Sequence, residues 1–75
     1  MKDIINRLLK FRDERNWEQF HTPENLSKSI VIEASELLEI YQCSDKEIDL
    51  QSVKEELADI MAYVLLLSEH YKFDI

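Results

Sequence analysis

Leu26–Tyr41 reads LSKSIVIEASELLEIY, and Val53–Leu67 reads VKEELADIMAYVLLL. Apolar residues recur every three to four positions in both, which predicts two long helices with one apolar face each. Each face is interrupted in the same way, by two acids three residues apart: Glu33 and Glu36 in the first, Glu56 and Asp59 in the second. That spacing sets both members of a pair on one side of the helix, about one turn apart. Carboxylates seldom sit on a core-facing stripe without a partner, and neither stripe offers an evident basic one. Four together ask for a cation.

The two pairs are mirror-symmetric about Lys46, inside a polar stretch. An antiparallel hairpin turning there brings Glu33 level with Asp59 and Glu36 level with Glu56. On a wheel of about 100° per residue centred on Glu33, Leu26, Leu37 and Ile40 fall within about 40° of it, and Glu36 sits at the edge. Centred on Asp59, the wheel puts Glu56 at about 60°, between Tyr63 and Leu67. Glu33 and Glu56 are thus the embedded members, whereas Glu36 and Asp59 border the stripe. Ionised carboxylates crowded together raise one another's pKa unless a cation neutralises them. Oxygen-only ligation suits Mg²⁺, with Mn²⁺ as the second option, better than zinc. A di-iron carboxylate bundle would use Glu-x-x-His motifs, but His21 reads as a loop residue and His70 lies eleven positions beyond Asp59.

The 75 residues, with no Gly and one Pro, lack the usual material for tight β-turns and read as a single all-α domain over 1–75. A domain this small supports a core only marginally, and two or three one-faced helices leave apolar surface to cover. A helical bundle completed by oligomerisation, as a homodimer or homotetramer, is therefore expected. The net charge of −7 argues against nucleic-acid and anionic-membrane partners, which need basic patches. A single cysteine, Cys43, excludes an internal disulfide and fits a reducing, cytoplasmic setting. The longest apolar run, Ile60–Leu67, is too short to span a bilayer.

A first helix is expected from about Asp3 to Arg15, with Ile4, Ile5, Leu8, Leu9 and Phe11 on one face and Arg12 mostly elsewhere. Asn16–His21 reads as an aromatic-rich loop. Thr22 offers an N-cap oxygen and Pro23 the favoured first helical position, so the second helix starts there and ends near Gln42. The third ends near Tyr71, and its start is open between two capping-box patterns, Ser44-x-x-Glu47 and Ser52-x-x-Glu55. Trp17 and Phe20 either staple the first helix onto the second or, with His21, face a base or sugar, because flat aromatics stack on nucleobases. Asn25 and Tyr63 are candidates to join such a pocket, Tyr63 because it lies one turn after Asp59. No Gly-rich phosphate loop exists, so any phosphate must be held through metal and side chains.

Arg15–Leu26 (RNWEQFHTPENL), Glu33–Glu39 (EASELLE) and Glu55–Ile60 (EELADI) resemble the matching segments of MazG-like nucleoside triphosphate pyrophosphohydrolases of the dCTP pyrophosphatase-like branch. The resemblance covers roughly Phe11 to Ile75. It implies a MazG-like helical bundle that hydrolyses (deoxy)nucleoside triphosphates to monophosphate and pyrophosphate, a nucleotide-pool house-cleaning activity. It also implies Glu33, Glu36, Glu56 and Asp59 as Mg²⁺ ligands, and Trp17, His21 and Tyr63 near the nucleoside. Glu36 is the choice for general base. Two positions depart from the pattern. Cys43 stands where relatives often carry a second Trp, and Phe73-Asp74-Ile75 ends the chain where they continue into a helix bearing basic and amide residues. The expectation is a domain lacking that C-terminal helix, with Lys28, Lys54 or Arg12 left to supply positive charge. The alternative is a non-catalytic helical oligomerisation module with a structural metal site.

Overall fold

The computed structural model describes residues 1–42 and 47–74 and is all-helical over them. Helix α1 spans Lys2–Glu14, a single 3₁₀ turn spans Glu18–Phe20, α2 spans Pro23–Gln42, and α3 spans Leu50–His70. The mirror point Lys46, the Ser44 half of one capping box, and Cys43 lie outside the described residues. Seven residues separate α2 from α3. At no more than about 3.5 Å each they cannot return along a helix of about 30 Å, so the two must run antiparallel.

Helix boundaries follow the local chemistry. The Thr22 hydroxyl accepts a hydrogen bond from the Asn25 N–H at 3.1 Å and caps α2, with Pro23 at its first position. The start of α3 differs from both capping boxes. Asp49 is the N-cap, accepting from the Gln51 N–H at 3.0 Å and from the Ser52 hydroxyl at 2.9 Å. Ser52 is therefore inside the first turn, because a carboxylate caps as well as a hydroxyl and Asp49 lies three residues earlier. These bonds hold the Asp49 carboxyl below its ordinary pKa, the Ser52 hydroxyl contributing most.

With no glycine available, α1 and α3 each end on a residue in the left-handed region, Asn16 (φ 55°) and Lys72 (φ 60°). At each end two backbone bonds close the helix: Trp17 N–H to Arg12 O and Asn16 N–H to Asp13 O, then Phe73 N–H to Ser68 O and Lys72 N–H to Glu69 O. This is the Schellman pattern, usually built on Gly. Asn tolerates left-handed φ through local hydrogen bonding, whereas Lys carries the Cβ clash. The motif folds Trp17 back over its own helix, edge-on to Phe11 with ring centroids 5.5 Å apart. Trp17 thus packs on the end of α1, and Phe20 is exposed.

The core is thin. Among the described residues, Leu26, Leu65 and Leu66 are the buried apolar ones, with Ser68 beside them donating to the Leu65 carbonyl at 2.9 Å. The apolar stripes are only half-covered, and Ala34 and Tyr41 on α2 and Leu57 on α3, expected inside, are exposed. On α1 the half-buried residues are Ile5, Leu8, Leu9 and Arg12, an i, i+3, i+4, i+7 stripe, whereas Ile4 and Phe11 are exposed. Arg12 rather than Phe11 therefore completes the inner face. The radius of gyration is 14.0 Å, against about 11 Å for a compact domain of this length. Among the described residues no helix is long and apolar enough to cross a membrane.

Candidate metal centre and adjoining aromatic cavity

Glu33 on α2 faces Glu56 and Asp59, one turn apart on α3. One carboxylate oxygen from each of the three lies within 4.8 Å of the others. Glu33 and Glu56 are half-buried; Asp59 and Glu36 are exposed. Glu36 falls outside the set of three, so the antiparallel register brings Glu33 to both acids of α3 and leaves Glu36 one turn along, beside Glu33. The i, i+3 spacing alone does not decide this, since Glu56 and Asp59 share it and both join the group; the packing register between α2 and α3 does.

The electrostatics are those of a site short of positive charge. The Glu33 carboxyl is pushed up to about 7, first by the side-chain hydrogen bond with Glu56, then by burial, then by the hydrogen bond and charge of Glu36 and the charge of Glu56. One oxygen of Glu33 and one of Glu56 are buried with no hydrogen-bond partner among the described residues. Buried carboxylate oxygens without donors are costly. A divalent cation is the ligand that fits an all-oxygen set left unsatisfied in this way. Among the described residues no ion pair reaches the cluster: Lys28 pairs with Glu24 at 3.2 Å, away from it.

Asp59 also lines a cavity of about 250 Å³ shared with the C-terminal end of α1. Trp17, His21 and Tyr63 line it together with Phe11 and Arg12. The Trp17 and His21 rings stand 6.4 Å apart. Burial, then the Arg12 charge, lower the His21 pKa, so the ring is neutral at pH 7, and its buried Nδ1 has no partner among the described residues. Asn25 is not part of this wall; its amide donates to the Phe20 carbonyl at 3.0 Å and braces the 3₁₀ turn against α2. A second cavity, of about 330 Å³, lies on the far side of Arg12 and His21 and touches none of the clustered acids.

Three of the five pocket candidates, Trp17, His21 and Tyr63, thus meet beside a carboxylate cluster. Residues 21–75 match the MazG nucleotide pyrophosphohydrolase domain. The chain belongs to the MazG family. It is similar over its whole length to dCTP pyrophosphatase 1 of Bos taurus (36% identical) and of Homo sapiens (34%), covering 50% and 49% of those proteins. It therefore spans about half the length of the curated relatives it matches. A pyrophosphatase from Archaeoglobus fulgidus has the same fold, with a TM-score of 0.90 at 40% identity over 99% of this chain and 76% of that one. The family match begins at His21, so α1 and Trp17 precede it and are covered by the whole-chain relatives. In this MazG chain α1 supplies a wall of the cavity that was not expected of it, and of the three cations expected to supply positive charge, Lys28, Lys54 and Arg12, Arg12 lines it. Its spacing is consistent with that place, since Arg12 stands at i+3 and i+4 from Leu9 and Leu8.

Proposed function

We propose that this chain is a Mg²⁺-dependent nucleoside triphosphate pyrophosphohydrolase that releases pyrophosphate from a (deoxy)nucleoside triphosphate as part of nucleotide-pool house-cleaning. The observation that carries this is the convergence of Glu33, Glu56 and Asp59, two of them with orphaned buried oxygens, with Asp59 also lining an aromatic cavity. Glu33, Glu56 and Asp59, with Glu36 at the margin, would hold Mg²⁺. When bound, the ion neutralises triphosphate charge and the charge growing on the pyrophosphate leaving group. The protein's own groups then divide the work. Trp17 and Tyr63 flank the nucleoside, and His21 presents a neutral ring that both donates and accepts. Water attacks the α-phosphorus, the bond to the bridging oxygen breaks, and the carboxylate of Glu36, exposed and outside the group of three, accepts the water's proton. The relatives named dCTP pyrophosphatase make dCTP the first substrate to try.

The test is direct. Incubation with Mg²⁺ and a panel of NTPs and dNTPs is expected to give monophosphate and pyrophosphate in equal amounts. Release of inorganic phosphate instead, or no turnover by a folded, Mg²⁺-saturated protein, overturns the reading and leaves the assembly-module alternative.

The same reading makes the working unit a homodimer or homotetramer. The accessible surface is 5999 Å², about 1,100 Å² more than a compact monomer of this mass exposes. A stable dimer buries about 800 Å² per partner. On α2, Val31 (64% exposed) and Leu38 (58%) share a stripe, as do Leu57 (53%) and Met61 (51%) on α3. Leu57→Lys with Met61→Lys is expected to shift the sedimentation mass to that of a single chain. A single-chain mass for the unaltered protein refutes the assembly.

A further inference from the structure

The inner face of α1 ends on a cation. Arg12 is the last residue of the Ile5, Leu8, Leu9 stripe, and its side chain is 18% exposed. Among the described residues it is the only Lys or Arg lining the Trp17 cavity. Its guanidinium is oriented by acids on one edge: Nε donates to Asp13 Oδ1 at 2.9 Å, Nη2 lies 2.9 Å from the same oxygen, and Glu18 stands 3.8 Å from Nη2. Nη1 donates to no described residue. Arg15, by contrast, lies over the outer face of the aromatic pair, 3.5 Å from the Phe11 centroid, and does not line the cavity.

We propose that Arg12 is a specificity-determining residue that selects nucleobases presenting two adjacent hydrogen-bond acceptors. The inference rests on the pyrophosphohydrolase reading, because it takes the Trp17 cavity to hold the base. Guanidinium has donors and no acceptor, in a rigid fork, so a base edge that meets it must offer acceptors. Cytosine offers O2 and N3 side by side, and guanine offers N7 and O6. Adenine and thymine alternate donor with acceptor along their edges, so one donor of the fork would face another donor. His21 and Tyr63 supply the remaining mixed donor–acceptor contacts, and Trp17 the stacking face.

The experiment compares kcat/KM for dCTP, dGTP, dATP and dTTP in the unaltered protein, Arg12→Lys and Arg12→Gln. Binding of the four monophosphates is followed in parallel through the emission of Trp17, the single tryptophan. The unaltered protein is expected to favour dCTP or dGTP over dATP and dTTP by roughly 5- to 150-fold, the worth of one good bidentate contact. Which of the two leads tells cytosine from guanine. Both variants are expected to lose most of that preference, since Lys keeps the charge but not the fork. If Arg12→Gln weakens all four nucleotides equally and Arg12→Lys restores them, the guanidinium contacts phosphate and the proposal is overturned. Unchanged preferences in folded variants overturn it as well, leaving Arg12 an ion-pair partner of Asp13 and Glu18. Discriminating, Arg12-dependent binding without turnover would sink the hydrolase reading alone, whereas turnover without preference would sink this inference alone. Absence of both binding and turnover refutes both.

Discussion

Glu56→Gln is expected to lower kcat by about 10²–10⁴-fold, the equivalent of several kcal/mol of lost metal-centred stabilisation. The same substitution is expected to stabilise the metal-free protein above pH 7. Glu56 is half-buried, has an oxygen without a donor, and is the largest single cause of the raised Glu33 pKa. A glutamine keeps its shape, removes a negative charge and offers Glu33 an N–H. Opposite signs for activity and stability mark a site held under strain for function. Steady-state kinetics with urea titrations on both proteins give the two readings. Equal or lower stability of the variant at pH 8 without metal contradicts the crowding described for the cluster, and unchanged kcat removes Glu56 from the chemistry.

The second large effect is on pH and metal dependence. Glu33 titrates at about 7 in the fold against an ordinary 4.5. The folded state therefore holds a proton that the unfolded chain has already released between these values. The linked stability is greatest below pH 4.5 and is lost as pH rises to about 7. His21, whose pKa is lowered, acts in the opposite direction: its contribution is present at neutral pH and is lost as pH falls. The comparison is best made against Glu33→Gln, which retains His21 and removes only the first dependence. At pH 8, Mg²⁺ at a hundred times its Kd adds about 2.7 kcal/mol, or roughly 10–20 °C in Tm for a chain of this size. Glu33→Ala and Asp59→Ala are expected to abolish that rise in thermal melts. A rise that survives both places the ion elsewhere.

Much of the hairpin was legible because its signals are local. Thr22-Pro23 starts α2 where capping chemistry says it must, and the 3.6-residue period carries it to Gln42. The acid pairs were visible as charge inside an apolar period, and the wheel separates the half-buried Glu33 and Glu56 from their exposed neighbours. What was not legible depends on geometry between elements. The register that gathers Glu33 with both α3 acids while leaving Glu36 aside is set by side-chain packing across the hairpin. The α3 start went to Asp49, one of several polar residues near that end able to cap. Asn16 reads as an ordinary loop residue; only its left-handed φ turns Trp17 back over Phe11 and creates the aromatic wall. Arg12 was one of three cations without a distinguishing signal, and only the half-buried positions of α1 show that its face turns inward.

Among the described residues, three buried leucines are a small core for helices of 20 and 21 residues. If a second copy supplies the missing cover, then the amount of protein present becomes a thermodynamic variable of the fold itself. Dilution then acts as a denaturant. The carboxylate cluster, strung between α2 and α3, loosens with it, so activity per chain falls at low expression and recovers as copies accumulate.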